Sequence, residues 1–162
     1  MEGPHHIIGL SGGGDSTAMA LLLADTEPRD YTYICNWTGN EPPALFLHLA
    51  HLETLLGKPI HHVGCGADLF GIIEKTKMIP NFRARFCTRM LKIEPTIEYF
   101  ETLPKGSTLY VGLLADEPVR EGLYLTEAEA WATVGVSNRA AYELRVADRH
   151  VVFCVYAVQD DY

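Results

Sequence analysis

The sequence predicts one α/β domain in which a mostly parallel sheet of about five strands lies between two layers of helices. Short runs of β-branched and aromatic residues alternate with longer runs whose leucines recur at helical spacing. A glycine-rich turn joins the first short run directly to the first helical one. Strands separated by helices form βαβ units, whose strands run parallel. The 162 residues suffice for one such domain, 1–162.

The individual elements follow from local composition. Pro42 or Pro43 suits the first turn of the second helix, and Gly57 suits its end. Trp131 and Tyr142 are assigned to the packing of the last helices. The predicted strands are His5–Leu10, Tyr31–Asn36, Ile60–Val63, Leu109–Leu114 and Val151–Val158. The predicted helices are Asp15–Asp25, the proline-initiated helix up to Gly57, Asp68–Lys77 and Thr88–Leu103.

The bulk composition excludes several classes of protein. The longest apolar run, Ala18 to Ala24, has seven residues, whereas a membrane-spanning helix needs about 20. The first residues lack the pattern of a secretory signal, so we expect a cytoplasmic protein without a membrane partner. The net charge of −8 does not predict direct nucleic-acid binding. The four cysteines form no CxxC pair, which disfavours a zinc or iron–sulfur site, and we predict no metal-ligating residues.

Positive charge is concentrated in one stretch that contains no acidic residue. Six of the thirteen basic residues are Lys75, Lys77, Arg83, Arg85, Arg89 and Lys92. In a helix beginning near Thr88, Arg89 and Lys92 share one face and can clamp an anion. The alternatives are a solvated basic face, or salt bridges from this block to Glu94, Glu98 or Glu101 along the same helix.

The glycine-rich turn has the composition of a phosphate site. Its residues are Ser11, Gly12, Gly13, Gly14, Asp15, Ser16 and Thr17. Glycines let backbone N–H groups converge on an anion, the hydroxyls add donors, and the following helix adds its dipole. Asp15 is the expected N-cap and would also suit a metal-bound phosphate.

Two common phosphate loops do not fit this turn. A Walker A loop needs a lysine that is missing here, and a dinucleotide fingerprint needs an acid where Asn36 and Trp37 end the second strand. The remaining match is SGGxDS, the PP-loop signature of ATP pyrophosphatases and adenine-nucleotide α-hydrolases. The alternative is a glycine-rich turn without a ligand.

Four sequence blocks together resemble the phosphoadenosine phosphosulfate (PAPS) reductase family of PP-loop proteins. They are SGGGDST from Ser11, TGNEPP from Thr38, RFCTRMLKIEP from Arg85 and VGLLADEPVREG from Val111. The family-like core spans about residues 5–122 and the divergent part 123–162. The resemblance implies a Rossmann-like (HUP-type) three-layer αβα sandwich with its nucleotide on the PP-loop. It implies further binding residues, namely Gly39, Arg85, Arg89, Lys92, Gly112, Asp116, Glu117 and Arg120.

The chain also departs from this family. Trp37 stands where the second strand usually ends in an aspartate, and an indole cannot serve as a metal ligand. The ECGxH motif that carries the reductase nucleophile is missing from the sequence. Cys154 has Val151 rather than a cysteine three positions before it. Cys87 is a poor substitute for the nucleophile, although a thiol among arginines is reactive.

These observations lead to three functional hypotheses. The first is an enzyme acting at the α-phosphate of ATP, with Mg²⁺ as its companion, an unknown acceptor, and Asp15, Arg89 and Lys92 as the catalytic candidates. The second is a nucleotide-binding module without turnover, as a homodimer or in a larger complex of a mobile-element or CRISPR-type locus. The third is a genuine reductase of PAPS, which the missing nucleophile disfavours. AMP and PAPS remain alternative ligands to ATP.

Overall fold

The computed structural model describes residues 3–81, 86–114, 141–146 and 149–156. For residues 113–114, 141–146 and 149–156 it describes the backbone only. Within these ranges six strands form one sheet. They are β1 (His6–Leu10), β2 (Tyr31–Asn36), β3 (Ile60–Val63), β4 (Thr108–Leu114), β5 (Ala141–Val146) and β6 (Arg149–Tyr156). Their order is β3-β2-β1-β4-β6-β5. Neighbouring strands are parallel except β5, which runs antiparallel to β6.

The helical segments connect the strands. They are α1 (Gly14–Thr26), α2 (Pro43–Leu56), α3 (Leu69–Thr76), α4 (Phe86–Thr88), a π-turn (Arg89–Ile93) and α5 (Glu94–Glu101). Pro42 is the N-cap of α2, and Gly57 ends that helix in the left-handed conformation, with φ of 66°. Asp68 caps α3 by accepting a hydrogen bond from the Gly71 N–H. No helix in the described part of the chain is long and apolar enough to span a bilayer.

The core lies on both faces of the sheet. Along β1, Ile7 and Ile8 are both buried and point to opposite faces, because successive side chains of a strand alternate. Ile8 packs with α1 and α2 in a cluster that includes Met19, Ala20, Leu23, Leu49 and Leu52. Ile7 packs in a second cluster with Ile34, Val63, Phe100 and Leu109. The predicted α/β fold with helices on both faces is therefore confirmed.

One strand was missed in the prediction. Ala141–Val146 is β5, so the sheet has six described strands rather than five, and Tyr142 lies on a strand instead of packing the last helices. The alternation of apolar and charged residues from Tyr142 to Val146 is the signal that identifies it. Trp131 lies outside the described residues.

The predicted helix Thr88–Leu103 is interrupted in the structure. The described helical segment covers Phe86 to Glu101 and contains the π-turn, in which the Glu94 N–H donates to the Arg89 carbonyl five residues back. Pro95 explains the interruption. A proline inside a regular helix has no N–H to donate, and its ring collides with the carbonyl four residues earlier. Widening the helix just before Pro95 avoids this collision.

The ends of α2 and α3 provide a matched test of backbone strain. Lys77 ends α3 with φ of 57°, the left-handed conformation that costs a residue with a side chain about 1–2 kcal/mol. We expect Lys77→Gly to raise the free energy of unfolding by about 0.5–1 kcal/mol, and Gly57→Ala to lower it by a similar amount. Urea unfolding measures both, and a shift of both variants in the same direction would contradict this explanation.

Candidate functional site

A cleft opens at the carboxyl ends of the central strands. Because β2 and β4 lie on opposite sides of β1, the strand order reverses at β1, and such a switch point forms a crevice at the carboxyl ends of the strands. The cleft has a volume of about 380 Å³. Its lining comes from the strand ends, the glycine loop, the segment after β2 and the π-turn. The polar lining residues are Ser11, Asp15, Ser16, Asn36, Thr38, Asn40, Glu41, Thr88, Lys92 and Thr96.

The glycine loop turns sharply from β1 into α1. Gly12 has φ of +76°, and a Cβ built on it would lie 2.0 Å from Leu45 Cδ1. Gly13 is the N-cap of α1 in an extended conformation. The prediction that Asp15 is the N-cap was therefore wrong, because the N-cap lies two residues earlier and the helix begins at Gly14. Asp15 lies in the first turn of α1 and lines the cleft.

The N-terminus of α1 offers backbone donors that have no acceptor among the described residues. The first-turn N–H groups of Gly14, Asp15 and Ser16 have no acceptor within the helix, and Gly13 provides no side-chain cap. These groups carry the positive end of the helix dipole. Asp15 and Ser16 line the cleft, so the dipole end faces the space where a ligand would enter. This arrangement is suited to an anion.

The hydroxyl groups of the loop are engaged within the protein. Ser16 Oγ donates to the Gly13 carbonyl at 3.2 Å and accepts from the Ser11 N–H at 3.1 Å. Ser11 Oγ accepts from the Gly13 N–H at 3.3 Å. Thr17 Oγ1 lies 3.2 Å from His48 Nε2 on α2, and Thr17 does not line the cleft. The hydroxyls therefore shape the loop, and the unused donors are backbone amides.

The basic block contributes Lys92 to the opposite wall of the cleft. Lys92 lines it together with Thr88 and Thr96. Arg89 does not line it. Its side chain is 75% exposed and its Nε donates to Glu94 Oε1 at 2.7 Å. The two residues were expected to share one face toward the anion, but only Lys92 lines the cleft. The π-turn accounts for this, because it changes the angle between successive side chains.

Some predicted site residues lie elsewhere or outside the described residues. Cys87 is half-buried in α4 and does not line the cleft. Gly39 borders a separate hollow, with φ of +80° and an added Cβ 2.5 Å from Asp68 Cβ, so it is required for packing between loops. The residues outside the described ranges are Arg85, Asp116, Glu117 and Arg120.

Gly112 lies at the floor of the cleft. A Cβ built there would lie 3.2 Å from the Ser16 backbone N and Cα. This glycine lets β4 pass directly beneath the first turn of α1. The expectation was that Gly112 admits the nucleotide. In the structure its immediate neighbours are Asp15 and Ser16 in the first turn of α1, although Gly112 also lines the cleft.

Trp37 belongs to an aromatic cluster. Its ring centroid lies 4.9 Å from that of Phe46 and 5.1 Å from that of His62, which meets it edge-on. The Trp37 side chain is therefore part of an aromatic cluster beside the cleft and does not line it.

Glu41 is a cleft residue that the sequence analysis did not single out. The Thr38 N–H and hydroxyl donate to its Oε1 at 2.8 and 2.5 Å. Its Oε2 is buried without a hydrogen-bond partner among the described residues. Burial raises the pKa of this carboxyl, but hydrogen bonds from Thr38 and from backbone N–H groups outweigh it, so the pKa lies below its ordinary value. The signal available in the sequence was its position just after the end of β2.

The lowered pKa of Glu41 predicts a pH-dependent contribution to stability. Because the folded pKa is depressed, ionised Glu41 stabilises the protein above its ordinary pKa of 4.5, and this contribution is lost as pH falls through the folded pKa. We expect Glu41→Gln to be less stable than the wild type at pH 7, with the difference narrowing below pH 4.5. Urea unfolding at several pH values measures this. A difference that does not change with pH would contradict it.

The described residues bring together no group of three or more histidine, cysteine, aspartate or glutamate side chains able to hold a metal ion. Among the described residues, the carboxylates that line the cleft are those of Asp15 and Glu41.

Comparison with solved structures identifies a related fold. The chain is similar to the crystal structure of phosphoadenylyl-sulfate (PAPS) reductase from Candida auris in complex with phosphate, with a TM-score of 0.60 and 10% sequence identity. The match covers 98% of this chain and 68% of the other. No protein-family model matches the sequence, and no curated protein matches it. The chain therefore has a PAPS reductase-like fold of the Rossmann type.

Proposed function

We propose that the protein binds an adenine nucleotide, ATP in the first place, with its phosphates at the N-terminus of α1. The observation that carries this proposal is the uncapped first turn of α1, which faces the cleft directly after a glycine with φ of +76°. Lys92 supplies a positive charge on the opposite wall. The similar reductase structure contains bound phosphate. Its likeness in fold supports the proposal that this chain also binds phosphate groups.

The reaction we propose is attack at the α-phosphate. An acceptor forms a bond to the α-phosphorus, the bond from that phosphorus to the bridging oxygen breaks, and pyrophosphate leaves with the electron pair. The backbone N–H groups of Gly14, Asp15 and Ser16 stabilise the negative charge on the phosphate oxygens. The Lys92 ammonium stabilises the negative charge on the pyrophosphate leaving group. Positioning and charge stabilisation of this kind supply most of the catalysis in phosphoryl transfer.

The cleft residues fit the Mg²⁺ that accompanies ATP. Carboxylate oxygens are the ligands that Mg²⁺ prefers, and Asp15 and Glu41 both line the cleft. Glu41 Oε2 is a buried oxygen without a hydrogen-bond partner among the described residues. Asp15 and Glu41 are therefore the residues that would hold the ion, which would neutralise phosphate charge when bound.

Product analysis tests the reaction class. In the absence of its acceptor, we expect water to attack the α-phosphorus in its place, so that the protein incubated with ATP and Mg²⁺ slowly releases AMP and pyrophosphate, as measured by ³¹P NMR. Tight ATP binding without pyrophosphate would instead support a nucleotide-binding module, and the missing ECGxH motif is the sequence feature that favours this second candidate.

We expect no sulfite from PAPS with thioredoxin, and sulfite that depends on Cys87 would overturn this assignment.

A further inference from the structure

The side chain of Asn36 joins the carboxyl end of β2 to the helical segment across the cleft. Its Nδ2 donates to the Lys92 carbonyl at 3.1 Å and to Thr96 Oγ1 at 2.9 Å. The Thr96 hydroxyl donates in return to Asn36 Oδ1 at 3.1 Å. Thr96 is buried and Asn36 is half-buried, so the link is partly shielded from water.

The hydrogen bond from Asn36 holds the backbone carbonyl of Lys92, the residue that carries the positive charge. Lys92 lies in the π-turn, where Glu94 N–H reaches back to Arg89 rather than to the fourth residue before it. A donor from β2 therefore holds the Lys92 carbonyl from outside the helix. Fixing the backbone at this point limits where the lysine side chain can leave the turn, and Lys92 lines the cleft. Single π-turns within helices are frequent at functional sites.

We infer that Asn36 is a positioning residue for anion binding, which holds the π-turn so that the Lys92 ammonium faces the phosphates. This inference rests on the proposed function. Asn36 acts through Lys92 and needs no contact of its own with the nucleotide. In this arrangement the glycine loop follows β1, and Asn36 at the end of β2 positions the Lys92 ammonium on the other side of the cleft.

A double-mutant cycle on ATP affinity tests the inference, measured by isothermal titration calorimetry at low salt. We expect Asn36→Ala to weaken ATP binding by about five- to tenfold, the effect of one good hydrogen bond. Lys92→Met removes the charge itself. In the Lys92→Met background, Asn36→Ala should change the affinity by less than about twofold, because the two residues act as one unit.

Two further variants separate this role from general support of the fold. Thr96→Val removes the hydroxyl that holds the Asn36 amide but leaves the Lys92 carbonyl within its reach, so it should weaken ATP binding less than Asn36→Ala does and have no effect in the Lys92→Met background. Asn36→Ser is too short to reach that carbonyl, keeps a polar group beside Thr96, and should lose affinity as Asn36→Ala does. It replaces Asn36→Ala if the alanine variant does not fold.

The possible failures are distinguishable. If the wild type binds no ATP, the proposed function falls and the inference falls with it. If the wild type binds ATP and Asn36→Ala binds equally well, only the inference is overturned. It is also overturned if the effects of Asn36→Ala and Lys92→Met multiply independently, or if Thr96→Val loses as much affinity as Asn36→Ala.

Discussion

Gly12→Ala is expected to lower the affinity for ATP by at least about 100-fold, the equivalent of losing two hydrogen bonds to a charged group. Gly12 has φ of +76°, and an added Cβ would lie 2.0 Å from Leu45 Cδ1. The Leu45 side chain can turn away from the added Cβ, but the left-handed φ strains any residue with a side chain by about 1–2 kcal/mol. We expect the loop to shift in response, so that the N-terminal amides of α1 no longer converge on one point. Calorimetric titration with ATP measures the change.

Gly14→Ala is the matched control for this loop. Gly14 is the first residue of α1, and a Cβ built on it has no atom within 4 Å. Alanine is also the better helix former. We therefore expect this variant to fold at least as stably as the wild type and to keep ATP affinity within about threefold. Equal affinities of the Gly12→Ala variant and the wild type would refute the role of the loop.

Lys92→Met is expected to weaken ATP binding by about 30-fold, or roughly 2 kcal/mol for a charged hydrogen bond, with little change in melting temperature. Methionine keeps the apolar stem of the lysine and removes only its ammonium. The loss should shrink as salt is added, because salt screens the interaction between partly exposed charges.

Arg89→Met is the matched control for Lys92→Met. It is a basic residue of the same π-turn, but its side chain is paired with Glu94 and does not line the cleft. An exposed pair of this kind contributes only about 0.2–1 kcal/mol to stability. We expect Arg89→Met to bind ATP as the wild type does. If Arg89→Met loses more affinity than Lys92→Met, the structure assigns the wrong basic residue to the cleft.

Local chemistry made the elements and the glycine loop predictable from the sequence. The strand Ile60–Val63 and the ends of α2 at Pro43 and Gly57 follow from β-formers and from the conformations of proline and glycine. A glycine-rich turn between a strand and a helix predicts an anion site, because the site is formed by the turn and the helix N-terminus themselves and needs no distant segment.

The opposite wall of the cleft was harder to predict because it depends on how distant segments meet. Asn36 and Thr96 are sixty residues apart and form their hydrogen bonds only once α5 packs across β2 and β3. Arg89 and Lys92 were expected to share a face because a regular helix was assumed. Pro95 was the visible signal against that assumption, since a proline is rarely tolerated inside a regular helix.

A crystal structure of the protein soaked with ATP and Mg²⁺ tests the central claim most directly. We predict density for the phosphates against the backbone N–H groups of Gly14, Asp15 and Ser16, with the Lys92 ammonium on the opposite side. Phosphates bound elsewhere, for example in the hollow lined by His61, His62 and Glu98, would contradict the claim. So would a well-ordered glycine loop without a ligand at saturating ATP.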